Sequence, residues 1–167
     1  AGGRLELLGL VEQFRREKQR LAFLDYGDQI GFAARLAREF PEIGQEQRTR
    51  FTVILLDEYQ DTSVAQKSFL LDLFGQGHSL TAVGDPLQAI YGWRGASAGN
   101  IEIFAHEFTK VDDQKANQAG LGVNNRSGQL ILDVANAVAS PVRERHQAAK
   151  PLVAQPHRAS TGGVEVA

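Results

Sequence analysis

Two adjacent acids, Asp57 and Glu58, follow an apolar run near the middle of the chain. The run covers residues 53–56 and predicts a strand buried on both faces, as in a parallel sheet covered by helices. Such sheets bind ligands beyond the carboxyl ends of their strands, so both acids are expected at a ligand site. An adjacent Asp and Glu can hold a divalent cation and activate a water, which is what hydrolysis of a nucleoside triphosphate requires.

A second strand and loop follow about one βα unit later. Residues 80–83 form a short apolar run, and the polar loop after it carries a carboxylate, an amide, two aromatic rings and a guanidinium, namely Asp85, Gln88, Tyr91, Trp93 and Arg94. Between the two strands, Ser63-x-x-Gln66 has the form of a capping box and predicts the start of a helix. We therefore expect a right-handed βαβ unit with parallel strands.

Three motifs together carry a family resemblance. DEYQDT (57–62) and VGDPLQAIYGWRGA (83–96) resemble the second and third motifs of UvrD/Rep-type superfamily 1 DNA helicases. NNRS (124–127) resembles their fourth motif, and residues 23–28 resemble the segment that precedes their second motif. The resemblance extends over most of the chain, from Leu24 to Asn136.

The resemblance implies an α/β fold: the parallel sheet of a RecA-like P-loop NTPase, flanked by helices. No G-x-x-x-x-G-K-[ST] motif occurs, so the sheet is expected to be incomplete, without its Walker A half. By analogy, residues 1–23 are the tail of an inserted helical subdomain. Residues 24–120 are the C-terminal half of the first RecA-like domain, and 121–167 begin the second. We expect an internal fragment of a larger helicase that does not hydrolyse ATP by itself.

The resemblance also implies roles at a nucleotide site that uses ATP and Mg²⁺. Asp57 would bind Mg²⁺, and Glu58 would orient and deprotonate the attacking water. Gln60 would link the acids to neighbouring loops, Gln88 would sense the γ-phosphate, and Asp85 would order its loop. The alternatives are an ordinary acidic turn after a strand and glutamines that only cap or face solvent.

Arg126 resembles the arginine finger that the second RecA-like domain supplies to the transferring phosphoryl group. The alternative is a solvated arginine before a helix. Many family members carry a Tyr beside this Arg that stacks on adenine, whereas this chain has Asn125, which cannot stack in that way. Adenine selectivity is therefore expected to be weaker or to come from other residues.

Tyr91 and Trp93 resemble the family's contacts to single-stranded DNA, on which bases stack. The alternative is core packing, the commoner role of aromatic side chains. Arg94 is expected to pair with a phosphate or with one of the two acids, and its alternative is a surface salt bridge.

These roles predict an ATP-dependent DNA helicase or translocase that moves on single-stranded DNA, in DNA repair or recombination. Its expected partners are single-stranded or partly duplex DNA, ATP and the remainder of the helicase. Two alternatives stay open: the motor portion of a helicase–nuclease, and a non-catalytic relative that binds single strands.

Composition limits these possibilities. The net charge of −2 provides no global basic field, so DNA is expected to bind a local site through stacking. The sequence has no cysteine, which fits a cytoplasmic protein, and its four histidines lack metal-ligand spacing. No membrane partner is expected, because no stretch approaches the length of a membrane span.

Helices are predicted on both sides of the two motifs. Asp25 or Asp28 caps a helix that Pro41 ends, and residues 41–50 are a polar connection. Before it, an amphipathic helix is expected over 4–23, from apolar residues at three- and four-residue spacing: Leu5, Leu8, Val11 and Phe14. The helix after Ser63 is expected to end at Gly75 and Gly77 and to bury Val64, Phe69, Leu70, Leu73 and Phe74.

Shorter elements are predicted in the last third of the chain. Ser97 or Asn100 begins a helix that runs through Phe108, and a short strand covers 121–123. Ser127 caps a further helix with one apolar face: Leu130, Ile131, Val134 and Val138. A charged, mobile segment is expected between Pro141 and Pro151, and residues 162–166 are expected to begin a strand.

Overall fold

The computed structural model describes residues 2–75, 77–146 and 149–160; the strand predicted at 162–166 lies outside them. Within these residues, short 3₁₀ turns cover Tyr59–Asp61, Pro86–Gln88, Gly92–Arg94 and Pro156–Arg158. The helices and strands are α1 (Gly2–Arg20), α2 (Tyr26–Glu39), α3 (Pro41–Arg50), β1 (Ile54–Leu56), α4 (Val64–Phe74), β2 (Leu80–Ala82), α5 (Gly99–Glu107), β3 (Val123–Asn124), α6 (Gln129–Arg143) and β4 (Val153–Ala154).

The predicted strand–helix–strand unit is present. Strands β1 and β2 are parallel, with Ile54 opposite Leu80 and Leu56 opposite Ala82, and α4 connects them. Parallel neighbours require such a crossover connection, since a tight hairpin reverses the direction of the chain. The carboxyl ends of both strands therefore lie at the same edge of the sheet.

The prediction that the first strand is buried on both faces is wrong for the described part of the chain. Leu55 is 76% exposed, whereas Ile54 and Leu56 pack against the cores. Successive side chains of a strand point to opposite faces, and both α4 and α5 pack against the face that carries Ile54 and Leu56. An unbroken apolar run does not distinguish one covered face from two.

In the part of the chain that the structure describes, two hydrophobic clusters hold α2, α4 and α5 on this sheet. One joins α2 to α4 through Ala37, Leu73 and Phe74. The other packs Tyr59 against α5, where its ring meets the Phe104 ring edge-on with centroids 5.2 Å apart. Aromatic rings favour this edge-to-face geometry, so the second cluster fixes the position of the turn that begins at Tyr59.

The capping box at the start of α4 is confirmed. Ser63 Oγ accepts from the Gln66 amide at 3.2 Å, and Gln66 Oε1 accepts from the Ser63 amide at 2.9 Å. The helix ends at Phe74 with Gly75 as its C-cap, as predicted. The prediction that Val64 is buried is wrong: Val64 is the first residue of α4 and is 58% exposed.

The N-terminal helices contain one confirmed cap and one correction. Asp25 caps α2 and forms a capping box with Asp28, and Lys18 of α1 donates to both carboxylates at 2.6 Å. The hydrogen bond from Lys18 lowers the pKa of Asp25. The polar connection predicted for 41–50 is instead helix α3, with Pro41 in its first turn, where proline is well tolerated.

Helix α1 is present as predicted, but its apolar residues do not join either core among the described residues. Leu5, Leu8 and Phe14 are each more than half exposed. No helix in the described part of the chain has the length and apolarity needed to cross a membrane.

The last third of the chain forms a second pair of parallel strands. Val123 lies opposite Val153, and α6 lies between β3 and β4 in sequence. Ser127 does not cap α6, because the N-cap is Gly128 and the Ser127 amide donates to Asn124 Oδ1 at 2.7 Å. The apolar face predicted for α6 is largely exposed, and Leu132 is its buried residue.

Pro141 does not end the helix. It lies inside α6, which continues to Arg143, and the Glu144 amide still donates to the Ser140 carbonyl at 3.2 Å. A proline so near the end of a helix removes one internal hydrogen bond and leaves the following amides able to bond. The first part of the segment predicted to be mobile is therefore the end of a helix.

Candidate functional site

The two acids occupy the turn that follows β1. Glu58 has left-handed backbone angles, φ 50° and ψ 41°, and the chain turns there into the Tyr59–Asp61 turn. A non-glycine residue in this region costs about 1–3 kcal/mol, and such strain is concentrated at functional sites. Asp57 Oδ1 accepts from the Glu58 amide at 2.9 Å, and both side chains are exposed. The sharp turn thus presents two carboxylates to solvent at the end of the strand.

The side chain of Gln60 joins this turn to the loop after β2. Gln60 is 1% exposed; its Nε2 donates to Glu58 Oε2 at 2.8 Å, and its Oε1 accepts from the Asp85 amide at 3.0 Å. A carboxamide has both a donor and an acceptor, and both are used here. One buried amide therefore fixes the second acid relative to the neighbouring loop.

Gln88 is connected to the same group through Asp85. Asp85 Oδ2 accepts from Gln88 Nε2 at 2.8 Å, while Asp85 Oδ1 accepts from the Leu87 amide at 2.9 Å. Four of the residues singled out in the sequence thus form one hydrogen-bonded chain: Glu58, Gln60, Asp85 and Gln88. We call these four residues the strand-end network.

Gly84 is part of this arrangement and was missed in the sequence. A Cβ atom at Gly84 would lie 2.6 Å from Gln60 Oε1 and 3.2 Å from the Tyr59 amide nitrogen. Real Cβ atoms do not approach that closely, so only glycine leaves room for the Gln60 carboxamide. A glycine directly before the strand-end Asp85 was the available sequence signal.

Tyr91, Trp93 and Arg94 form an exposed cluster in the segment 91–95, which we call the aromatic loop. The Arg94 guanidinium carbon lies 4.6 Å from the Trp93 ring centroid and 5.2 Å from that of Tyr91. Trp93 is 75% exposed, which excludes core packing for this ring among the described residues. Arg94 forms no ion pair with Asp57 or Glu58, because it lies against the two rings.

The far end of the aromatic loop is attached to the start of α4. Ala96 pairs with Ser63 in an antiparallel bridge, and the Ser97 amide donates to the Thr62 carbonyl at 3.2 Å. Asn100 Nδ2 donates to the same carbonyl at 2.7 Å. Asn100 had been considered only as a helix start, and α5 in fact begins at Gly99.

Arg126 is not part of the strand-end network. Its amide donates to Asn124 Oδ1 at 2.9 Å, and its exposed guanidinium has no hydrogen bond or ion pair with the residues that the structure describes. Helix α6, which begins three residues later, lies close to the Pro86–Gln88 turn. The segment that carries Arg126 is therefore near the loop of Gln88 without being joined to it.

The hydroxyl of Tyr59 is buried without a hydrogen-bond partner in the described part of the chain. Burial raises the pKa of Tyr59 to about 12, and the negative charge of Glu107 acts in the same direction. Glu107 itself accepts from Lys67 Nζ at 2.6 Å. This tyrosine therefore acts as a packing group in the second core, not as a proton donor to the site.

The two exposed carboxylates suit a magnesium ion whose remaining ligands are waters and substrate phosphates. Among the described residues, no group of three or more acids or histidines is arranged to enclose a metal. Mg²⁺ commonly keeps several waters and binds one or two carboxylates together with substrate phosphates. Asp57 suits that mode, because it is exposed and its Oδ2 makes no hydrogen bond to a described residue.

The fold and site define an α/β protein whose polar network lies at the carboxyl ends of parallel strands, where open α/β sheets bind ligands. Comparison with known families identifies it further. The model of the UvrD/REP helicase N-terminal domain matches residues 6–109, more than half of the chain. The chain belongs to the UvrD/REP helicase family.

Individual relatives agree with this assignment. The chain is 36% identical over 136 residues to ATP-dependent DNA helicase UvrD1 of Mycobacterium tuberculosis (strain ATCC 25618 / H37Rv), over 77% of this chain and 17% of that protein. It is 36% identical over 132 residues to ATP-dependent DNA helicase PcrA of Staphylococcus aureus (strain NCTC 8325 / PS 47), over 79% of this chain and 17% of that protein. The chain therefore spans about a sixth of the length of these relatives.

Replacing Gly84 by alanine tests the close approach of Gln60. The added methyl group must displace the Gln60 carboxamide, so we expect a loss of about 1–3 kcal/mol in the free energy of unfolding. Gly92→Ala is the matched control, because a Cβ there meets nothing within 4 Å and should change stability by less than about 0.5 kcal/mol. Urea denaturation measures both variants, and equal stabilities would contradict the packing described here.

Tyr59→Phe tests the unpartnered hydroxyl. At pH 7 the variant should be at least as stable as the wild type, because no hydrogen bond is lost. The folded pKa of about 12 lies above the ordinary value near 10, so this tyrosine stabilises the fold fully below pH 10 and loses that contribution as the pH rises towards 12. Phenylalanine removes that dependence, which amounts to about 3 kcal/mol in full and to about half of that by pH 11.

Unfolding free energies of wild type and Tyr59→Phe at pH 7, 9, 10 and 11 provide the comparison. Tyr26→Phe is the control, because it also removes one phenol group but at an exposed position. A variant that is clearly less stable at pH 7 would show that the hydroxyl has a partner.

Proposed function

We propose that this chain acts in an ATP-dependent DNA helicase or translocase that couples ATP hydrolysis to movement on single-stranded DNA. The observation that carries the proposal is the strand-end network, which connects Glu58 of the acid pair to Gln88 across the ends of two parallel strands. The printed names of the similar relatives, ATP-dependent DNA helicases, support it. The proposed fold is that of a RecA-like P-loop NTPase.

In this proposal, Asp57 holds Mg²⁺ and Glu58 is the general base for the attacking water. Mg²⁺ supplies charge neutralisation at the phosphates. Gln60 Nε2 donates to Glu58 Oε2 and so orients the Glu58 carboxylate. The other carboxylate oxygen, Glu58 Oε1, has no partner in the described part of the chain and remains available to a water. The strained turn at Glu58 keeps this carboxylate at the edge of the sheet.

Gln88 is the proposed sensor of the γ-phosphate. Its side chain is exposed, and one N–H of its amide is used by Asp85. A primary amide has a second N–H and a free oxygen, so Gln88 can donate to a phosphate without leaving Asp85. Loss of the phosphate would then change the hydrogen bonding of Gln88 and, through it, that of Asp85. The Asp85 amide in turn donates to Gln60 Oε1.

The proposed DNA contact is the aromatic loop. Trp93 offers an exposed face, and stacking of a base on such a ring contributes about 1–3 kcal/mol. Arg94 lies against the two rings and adds a positive charge next to them, suited to a phosphate of the same strand. The loop belongs to the same chain segment as Gln88, so a short stretch of backbone connects the proposed nucleotide contact to the proposed DNA contact.

Arg126 is the proposed arginine finger, on a segment that begins a second RecA-like domain at residues 121–167. Its exposed guanidinium, which has no partner among the described residues, and the nearness of α6 to the Pro86–Gln88 turn support this role. The remaining proposed divisions are 24–120, in the first RecA-like domain, and 1–23, in an inserted helical subdomain. The exposed apolar side chains of α1 suit an element that packs against further protein.

Glu58→Gln tests the proposed base in the complete protein that contains this sequence. The amide keeps the shape but cannot take a proton, so ATP hydrolysis should fall by roughly 10²–10⁴-fold while MgATP still binds. Glu46→Gln, at an exposed acid of α3, is the control and should hydrolyse ATP at the wild-type rate. Steady-state turnover and equilibrium binding of MgATP distinguish the two effects, and undiminished turnover of Glu58→Gln rules out the base role.

A further inference from the structure

The aromatic loop is attached to the acid-bearing segment at two places. On its upstream side, Gln60 Oε1 accepts from the Asp85 amide. On its downstream side, Ala96 pairs with Ser63 in an antiparallel bridge, and the Thr62 carbonyl accepts from both the Ser97 amide and Asn100 Nδ2. Both attachments lie on the short segment 57–63, which also carries the acid pair.

Asn100 makes the stronger of the two downstream hydrogen bonds to Thr62. Its distance to the carbonyl is 2.7 Å, against 3.2 Å from the Ser97 amide, and its side chain is 2% exposed. A buried amide donor that loses its acceptor costs more than the hydrogen bond contributes when made, because water cannot replace the partner. The contact between Asn100 and Thr62 is therefore enforced by burial.

Between these two attachments, the loop is held mainly by local turns. The Arg94 amide donates to Tyr91 and the Gly95 amide to Gly92, both within the aromatic loop. The exposed Trp93 ring contacts Arg94 of the same loop. The position of this ring relative to the acids therefore depends on the two attachments, of which Gln60 supplies one.

We propose that Asn100 is a positioning residue that fixes the downstream end of the aromatic loop on the acid-bearing segment. It acts through the Thr62 carbonyl and holds Trp93 at a defined place relative to Glu58. The inference rests on the proposed function only where it concerns DNA, since the anchoring itself is a property of this chain.

Asn100→Asp tests the anchor with almost no change of shape. The substitution replaces the donor by a carboxylate oxygen that faces the Thr62 carbonyl, so the contact becomes repulsive. Trp93 is the only tryptophan in this chain, so in the chain itself a change of fluorescence anisotropy at unchanged size reports a change in the mobility of the Trp93 ring and its loop. We expect lower anisotropy in the variant at temperatures where circular dichroism shows the fold intact.

A matched control separates the anchor from a change of charge. Asn117 is exposed and accepts from Lys110 Nζ through Oδ1, a contact that an aspartate keeps. Asn117→Asp should therefore leave the Trp93 anisotropy unchanged. Asn100→Ser is a second, milder variant for use if Asn100→Asp does not fold, since its hydroxyl is too short to reach Thr62 and it should also lower the anisotropy.

The consequence for nucleic acid is measured by titrating the same proteins with oligo-dT. Release of the loop should weaken binding about tenfold, the factor that corresponds to losing one buried hydrogen bond. If both Asn100 variants fold and keep the Trp93 anisotropy and the oligo-dT affinity of the wild type, the proposal is overturned. A wild type that does not bind oligo-dT would instead count against the proposed DNA contact, while the anisotropy alone would still decide the anchoring role.

Discussion

The site depends on one buried carboxamide. Gln60 has no access to water, so its donor and its acceptor must both find partners within the protein. The partners are a carboxylate after one strand and a backbone amide after the next, and they join the turn and the loop that lie beyond the backbone pairing of the two strands. Gly84 leaves the space that this carboxamide occupies. Tyr59, one residue earlier, packs into the core beneath and holds the same turn from the other side.

Much of this arrangement follows from local rules that are visible in the sequence. The capping box at Ser63 depends on two residues three positions apart, and it forms as predicted. The parallel pairing of β1 and β2 follows from two apolar runs separated by a helix. Acids placed directly after an apolar run must lie at the edge of the sheet, where Asp57 and Glu58 are found. Each of these features is signalled by short stretches of sequence that can be read one at a time.

The features that the sequence did not reveal depend on contacts between distant segments. Whether Leu55 is covered depends on which helices reach its face, and an apolar run does not contain that information. Asn100 looks like an ordinary helix start, yet its amide bonds to a carbonyl 38 residues away. Ser127 has the right type for a cap but loses that place to Gly128, because Asn124 accepts its amide. Where two residues suit the same local role equally well, contacts in the tertiary fold decide which of them takes it.

The most direct measurement of the central claim is the rate of hydrogen exchange at the Asp85 amide, which donates to Gln60 Oε1. We expect this amide to exchange as slowly as that of Val83, whose hydrogen bond to Leu56 continues the strand pairing. Replacing Gln60 by alanine should bring exchange at Asp85 close to the rate of an open loop while leaving Val83 protected. Rapid exchange at Asp85 in the wild type would contradict the claim that a buried side chain joins the two strand ends.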